Sequence, residues 1–292
     1  MLIIDTSRNT TGKLSCLVAH DVKTIIRYYN FSNSQKFPDK CLTLAEAQAI
    51  SAQGMNIAVV FQQRQDRAED FSEIKGYEAG RRAYRYALND IDQPEGSGIY
   101  FGVDFDATDD EIKRCVIPYF QGVHRAFNEV SGDQPTYRVG VYGSGATSGA
   151  LVKKKLCSLV WLAMSRGYRG TQDAINNGAY HLAQQAPEKT VCQLDIDYNS
   201  VNPEKTDFGS FVVPYEESPA EPVLDEKRYE VISRSRLMLR EGPGTNFSIV
   251  GSLQPGQRVA ATPYDEQWSS IDVEGDGLID GFAASAYLKK IV

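Results

Sequence analysis

A chain of 292 residues, 42% hydrophobic and 24% charged, carries enough apolar material for one large domain or two unequal ones with a real core. A net charge of −7 and a pI near 5.1 argue against a nucleic-acid partner, which asks for a basic face, and against attachment to anionic lipid. Neutral or mixed-charge polymers such as glycans stay open.

Met1 runs straight into Leu2-Ile3-Ile4-Asp5. Neither the basic start nor the apolar stretch of ~7–15 residues that marks a secretory signal is there, so synthesis in the cytoplasm without a signal peptide is expected. No segment approaches the ~18–20 apolar residues of a membrane span. From Leu2 onward, eight short apolar runs alternate with helix-like stretches: Leu2–Ile4, Thr24–Tyr28, Ile57–Phe61, Ser97–Val103, Tyr137–Tyr142, Ser158–Ala163, Ala179–Ala183 and Val191–Ile196. Between them, Thr43–Gln53 and Phe71–Asn89 show helical periodicity. Thr43-Leu44-Ala45-Glu46 reads as a capping box, in which hydroxyl and carboxylate each satisfy the other residue's backbone N–H. Eight strands in about 210 residues predict a (β/α)8 TIM-type barrel over residues 1–212, with an open doubly wound sheet as the alternative.

Three prolines and three glutamates between Val213 and Pro222 resist both helix and strand, and predict a solvated connector over 213–228. The texture then changes. Turns at Glu241-Gly242-Pro243-Gly244, Gln254-Pro255-Gly256-Gln257 and Gly275-Asp276-Gly277 separate short strands, which predicts a small all-β barrel over 229–292.

The five cysteines, Cys16, Cys41, Cys115, Cys157 and Cys192, are odd in number, widely spaced and without a C-x-x-C. They read as free, mostly buried thiols of a reducing compartment. None of the three histidines, His20, His124 and His181, neighbours a cysteine pair, so neither a metal nor another cofactor is expected. Asp272-Val273-Glu274-Gly275-Asp276-Gly277 imitates the start of a calcium loop, but Ala283 stands where the closing glutamate belongs, and a hairpin turn is the better reading.

In such a barrel, chemistry collects where strands end. Those ends carry Asp5, Arg27-Tyr28-Tyr29, Gln62-Gln63, Asp104-Phe105-Asp106, Tyr142, Trp161 with Ser165, Gln184-Gln185, and Asp195-Ile196-Asp197. Asp104 and Asp106, two apart on a strand, would face the same way about 6–7 Å apart, so one of them should hold its proton more tightly. That pairing suits glycoside hydrolysis, which uses one carboxyl as acid and another as base or nucleophile. Asp106 also reads as cap material for the helix near Asp109. Arg27, Tyr28, Gln62, Tyr142, Trp161, Gln184 and Asp195 suit sugar recognition, where ring faces stack and fixed polar groups read hydroxyls. Gly143-Ser144-Gly145-Ala146-Thr147-Ser148-Gly149 has the wrong spacing for a dinucleotide fingerprint and reads as a strand–loop–helix turn; no P-loop, G-x-S-x-G or H-E-x-x-H occurs.

Taken together, Ile4-Asp5-Thr6-Ser7, Arg27-Tyr28-Tyr29, Leu42–Ala47, Gly98–Asp106, Val139–Gly143, Val160–Ala163 and Asp195–Asn199 resemble the glycoside-hydrolase-like barrels related to family 25 lysozymes. Those lysozymes carry D-x-E on the fourth strand, with the glutamate as general acid, and cleave the bond after N-acetylmuramic acid. The resemblance implies Asp106 as acid and Asp104 as its partner, with Asp5 and Asp197 as flanking acids. Aspartate in place of the glutamate is one methylene shorter, and a misplacement near 1 Å costs on the order of 100-fold in rate. Leu237–Thr245, Ile249–Gly256, Trp268–Ile271 and Gly281–Leu288 resemble bacterial SH3-like domains, which implies attachment to the wall.

The expected protein is therefore a peptidoglycan-targeted, muramidase-like glycosidase, with peptidoglycan or a related wall glycan as partner. Two other readings stand beside it: a degenerate barrel that binds glycan without cleaving it, and a wall amidase or peptidase. Action at the envelope without a signal peptide implies export by lysis or by a secretion apparatus, with a holin or an immunity protein as the companion.

Overall fold

The structure, a computed structural model, describes residues 2–132, 137–215, 229–273 and 279–291. It divides into two compact units, Met1–Tyr215 and Glu216–Val292. Eight strands close the barrel of the first unit: β1 (Leu2–Asp5), β2 (Val22–Tyr28), β3 (Asn56–Phe61), β4 (Gly98–Gly102), β5 (Arg138–Gly143), β6 (Leu159–Leu162), β7 (Leu182–Val191) and β8 (Leu194–Val201). Helices stand between the first seven strands: α1 (Leu14–Ala19), α2 (Leu44–Ala52), α3 (Glu73–Arg85), α4 (Asp109–Glu111) followed by α5 (Ile117–Ser131), α6 (Gly145–Lys153) and α7 (Thr171–Asn176).

The strands read as unbroken apolar runs because both of their faces are buried. Along β3, Ala58 and Val60 point into the barrel beside Ile26, Tyr100 and Trp161, while Ile57, Val59 and Phe61 join the layer between strands and helices. The longest helices, α3 and α5, meet backbone to backbone. A Cβ on Gly76 would stand 1.8 Å from the Tyr119 carbonyl oxygen, and one on Gly122 would stand 2.0 Å from that of Glu73.

The eighth strand departs from strand–helix alternation. β1 to β7 pair in parallel, but β8 runs antiparallel to both β7 and β1, with no helix before it. The apolar run Val191–Ile196 is not one strand: it spans the hairpin tip, where Cys192 and Gln193 adopt φ of 54° and 62°. The cysteines differ from expectation as well. Cys16 on α1 and Cys192 at this tip form a disulfide, with Cα atoms 5.9 Å apart across 176 residues, while Cys41, Cys115 and Cys157 are free.

The capping box of α2 is half formed. Thr43 Oγ1 accepts the Glu46 N–H at 3.2 Å, but the Glu46 carboxylate turns to Arg27 and Thr10 instead of back to Thr43. The segment 143–149 is the strand–loop–helix turn expected of it: Ser144 caps α6 by accepting the Thr147 N–H at 3.1 Å. The start of the expected connector packs with the barrel. Val213 is buried and donates its N–H to Ser51 Oγ at 3.0 Å. Residues 216–228 of that connector, and 274–278 of the calcium-like segment, lie outside the described residues.

The second unit is all-β. Its strands β9 (Tyr229–Val231), β10 (Leu237–Arg240), β11 (Ile249–Leu253), β12 (Arg258–Pro263), β13 (Trp268–Asp272), β14 (Gly281–Ala284) and β15 (Leu288–Lys290) assemble in the order β11-β10-β14-β13-β12-β9-β15. They enclose a core of Val231, Leu237, Leu239, Leu253, Val259, Ala261, Ile271 and Ala283.

Candidate active site

A cleft of about 600 Å³ opens where the parallel strands end. Asp5 and Tyr28 close β1 and β2, Gln62 follows β3, Asp104 follows β4, Tyr142 and Trp161 come from β5 and β6, and Gln184 sits on β7; all of them line it. Asp197 joins them by another route. Its strand starts at the cleft end and runs away from it, and the antiparallel register sets Asp197 directly opposite Asp5. Neighbouring residues on facing strands bring their Cβ atoms to about 4.5–5.5 Å.

A hydrogen-bonded chain organises this wall. Tyr142 Oη donates to Gln184 Oε1 at 2.7 Å. Gln184 Nε2 then donates to both oxygens of Asp5, at 3.2 and 3.1 Å, and to Asp197 Oδ2 at 3.1 Å. Asn199 Nδ2 donates to Asp5 Oδ2 at 2.8 Å and is oriented by Trp161 Nε1, which donates to Asn199 Oδ1 at 2.7 Å. Asp197 Oδ1 is buried and has no hydrogen-bond partner among the described residues. Burial, opposed by the Asn199 bond and reinforced by the facing Asp197, pushes the Asp5 carboxyl up to about 7. Burial and the nearby Glu188 and Asp104 push Asp197 up to about 6.

Across the cleft, Asp104 Oδ2 accepts from Gln62 Nε2 at 3.0 Å. Gly102 leaves room for that amide, since a Cβ there would press within 3.0 Å of Gln62 Cγ. Burial raises the Asp104 pKa, while the Gln62 bond and the positive charge of Lys40 pull the other way. Lys40 carries no periodic signal in the sequence, yet its Nζ donates to the Gln62 carbonyl at 2.9 Å and stands 4.3 Å from the Tyr28 ring centre. Its burial lowers its own pKa to about 8. The cleft also takes Met164, Ser165, Arg166 and Tyr168 from the loop after β6, of which the sequence singled out Ser165 alone.

Three expected site residues lie elsewhere. β4 ends at Gly102, so Asp104 and Asp106 sit in a loop and the two-residue alternation of a strand does not govern them. Asp106 is not in the cleft lining: its Oδ1 accepts the Arg169 N–H at 2.9 Å. Nor does it cap the following helix; Thr108 does, in a complete box with Glu111. Arg27 is fully buried in a forked pair with Glu46, at 2.9 and 3.1 Å, and also donates to the carbonyls of Thr6 and Asp39, so it braces β2 against α2 and is not in the cleft lining. Asp195 is exposed and accepts from Thr190 Oγ1 at 3.3 Å, away from the lining. The separation of histidines from cysteine pairs holds along the chain but not in space, because His20 comes together with Cys16 and Cys192.

The family model of the Rv2525c-like, glycoside hydrolase-like domain matches residues 15–203, and that of the bacterial SH3 domain matches residues 235–289. Over 142 residues the chain is 33% identical to the uncharacterized protein YbfG of Bacillus subtilis (strain 168), a match that takes in 46% of this chain and 19% of that protein. Over 133 residues it is 26% identical to the uncharacterized protein FadG of the same strain, covering 45% and 23%. The chain thus spans about a fifth of the length of these curated relatives. The crystal structure of the Mycobacterium tuberculosis Tat-secreted protein Rv2525c in complex with L-tartrate matches with a TM-score of 0.60 at 22% identity, over 72% of this chain and 98% of that one. An uncharacterized B. stearothermophilus protein matches with a TM-score of 0.51 at 16% identity, over 71% and 99%. Both are likenesses of fold. A glycoside hydrolase-like barrel joined to a bacterial SH3 domain points to a cell-wall-related function.

Proposed function

The chain belongs to the Rv2525c-like, glycoside hydrolase-like family, and on that premise we propose that it is a muramidase-like hydrolase of peptidoglycan glycan, held on the wall by its SH3 domain. One observation carries the reading: Asp5, Asp104 and Asp197 converge in one cleft, all with raised pKa values, beside the partly exposed rings of Tyr28 and Tyr168. Glycoside cleavage needs a carboxyl that still holds its proton near working pH and a second that is ionised.

Asp197 suits the acid. Below about pH 6 it keeps its proton, and it lines the cleft, with Gln184 donating to its Oδ2. Asp104, steadied by Gln62, suits the carboxylate that serves as base, nucleophile or charge stabiliser on the other side of the sugar. Asp5 lies almost fully buried at the cleft floor, where it accepts from Gln184 and Asn199 and holds both in place. Activity should therefore fall as pH rises through about 6. We place its work at the cell envelope, reached by lysis or by a secretion apparatus, and the Cys16–Cys192 disulfide supports a working site outside a reducing compartment. Tethering by the SH3 domain raises the local concentration of the barrel on its polymer.

A second reading, a barrel that grips wall glycan without cutting it, is favoured by Asp106, which stands at the family 25 acid position yet is engaged by Arg169. Digestion of purified peptidoglycan, with products read by mass spectrometry, separates the two. Wild type should release fragments with new muramic-acid reducing ends, and Asp104→Asn and Asp197→Asn should each lower the rate by about 10²–10⁴. Retained wall binding without any products would favour the second reading. New amino or carboxyl termini would instead reveal an amidase or peptidase.

A further inference from the structure

The hairpin of β7 and β8 builds one wall of the cleft, and its tip is fastened to α1. Cys16 and His20 stand four residues apart, one on the helix and one capping its end, so their side chains project from the same face. Cys192 meets them from the tip, and Lys13 Nζ donates to Gln193 Oε1 at 2.8 Å beside it. The two sulfurs and an imidazole nitrogen of His20 all lie within 4.8 Å of one another. A disulfide alone does not call for the imidazole.

Two thiolates and one imidazole form a ligand set for a soft, tetrahedral cation. Around zinc, such ligand atoms sit about 3.5 Å apart, and a three-residue set leaves the fourth position to water. Hard cations such as calcium and magnesium ask for oxygen ligands, which this cluster lacks. We propose that in the thiol form of the chain Cys16, His20 and Cys192 bind a zinc-class ion, and that oxidation to the Cys16–Cys192 disulfide expels it.

The exchange balances. One thiolate attacks the sulfur of a low-molecular-weight disulfide oxidant and releases one thiolate from it. The second cysteine thiolate displaces the other half, the Cys16–Cys192 bond forms, two electrons pass to the oxidant and the divalent ion leaves. In the thiol form the ion ties the hairpin tip to α1; after oxidation the disulfide does so. The cleft wall bearing Gln184, Ala186 and Asp197 is thereby held in both states. The site is independent of the glycan chemistry proposed above.

The test is an anaerobic titration of the reduced, chelator-stripped full chain with cobalt(II), followed by competition with zinc. Wild type should take up one cobalt per chain, with thiolate-to-metal charge-transfer absorption. Cys192→Ser should lose it, and His20→Gln should bind roughly tenfold or more weakly. The oxidised chain should show none. His20→Gln keeps both cysteines, so an unchanged melting temperature in its disulfide form verifies its fold. A second measurement uses stability: zinc should raise the Tm of reduced wild type and not that of reduced His20→Gln. Uptake that is unaltered by His20→Gln or equal in the oxidised chain would place the ion elsewhere and overturn the proposal. So would a reduced wild type that takes up no metal, folded or not.

Discussion

Two polar clusters buried in the same barrel are built on opposite principles. Around Glu46, every charge is answered: Arg27 forks onto it, Thr10 donates its N–H at 2.8 Å and its hydroxyl at 2.9 Å, and Asn9 adds an amide at 3.1 Å. Around Asp5 and Asp197, two facing carboxyls share the single amide nitrogen of Gln184, and no cation is among their hydrogen-bond partners in the described residues. The first cluster is closed, with both Glu46 oxygens partnered. The other is left short of positive charge, the condition under which carboxyls hold protons at working pH.

The closed cluster gives the largest expected effect. Arg27→Met strands the Glu46 carboxylate in an interior site, and removing one member of a buried pair costs about 3–5 kcal/mol. A loss of that size in the unfolding free energy, read from denaturant melts, would establish the cluster as a brace. A variant as stable as wild type would remove the contrast with the acidic cluster.

The open cluster should respond with the opposite sign. Asp5 holds its proton up to about 7 in the folded chain against 3.8 when free, so its contribution to stability is complete below 3.8 and is lost as pH rises through about 7. Asp5→Asn keeps an oxygen to accept from Asn199 and cannot ionise. It should therefore melt higher than wild type at about pH 8, by on the order of 2 kcal/mol, with the gain vanishing near pH 4. Equal melting curves at both pH values would mean that Asp5 ionises freely.

Much of this contrast was illegible in the sequence, for identifiable reasons. Strands β1 to β6 announce themselves as apolar runs because both faces are buried. The β7–β8 hairpin does not, because its tip uses Cys192 and Gln193 at positive φ instead of glycine, and the apolar run reads through it. Asp197 is nonetheless legible as a strand-end carboxyl, though of a parallel strand; it reaches the cleft from near the start of an antiparallel one. Arg27 looks like a ligand at a strand end, since its partner is 19 residues away and already accounted for as a cap. Lys40 lies in a loop without periodicity, and the Cys16–Cys192 bond joins residues 176 apart, so only tertiary structure reveals either.

A smaller effect tests how the acidic cluster is held. Trp161→Phe should preserve packing against Tyr142, whose ring centre is 4.5 Å away, but it removes the indole N–H that orients Asn199. The loss should be about 1 kcal/mol of stability. If Asn199 sets the proton affinity of Asp5, the variant's melting curve should also change its dependence on pH. A drop in stability that is the same at every pH would reduce Trp161 to packing alone.

The smallest expected effect is also the sharpest, because it separates two aspartates only two residues apart. Asp106 accepts the Arg169 N–H through Oδ1, a bond that an amide oxygen can also accept. What Asp106→Asn removes is a charge 3.8 Å from Arg169 Nε, in a pair whose side chains are 39% and 34% exposed, and such pairs contribute about 0–1 kcal/mol. Asp106→Asn should thus retain glycan cleavage within about threefold of wild type, while Asp104→Asn loses about 10²–10⁴. Should Asp106→Asn instead silence the protein as deeply as Asp104→Asn, the acid would return to the loop after β4. The unpaired cluster of Asp5 and Asp197 would then be a device for gripping the sugar, and the shortage of positive charge around it would mark recognition instead of proton transfer.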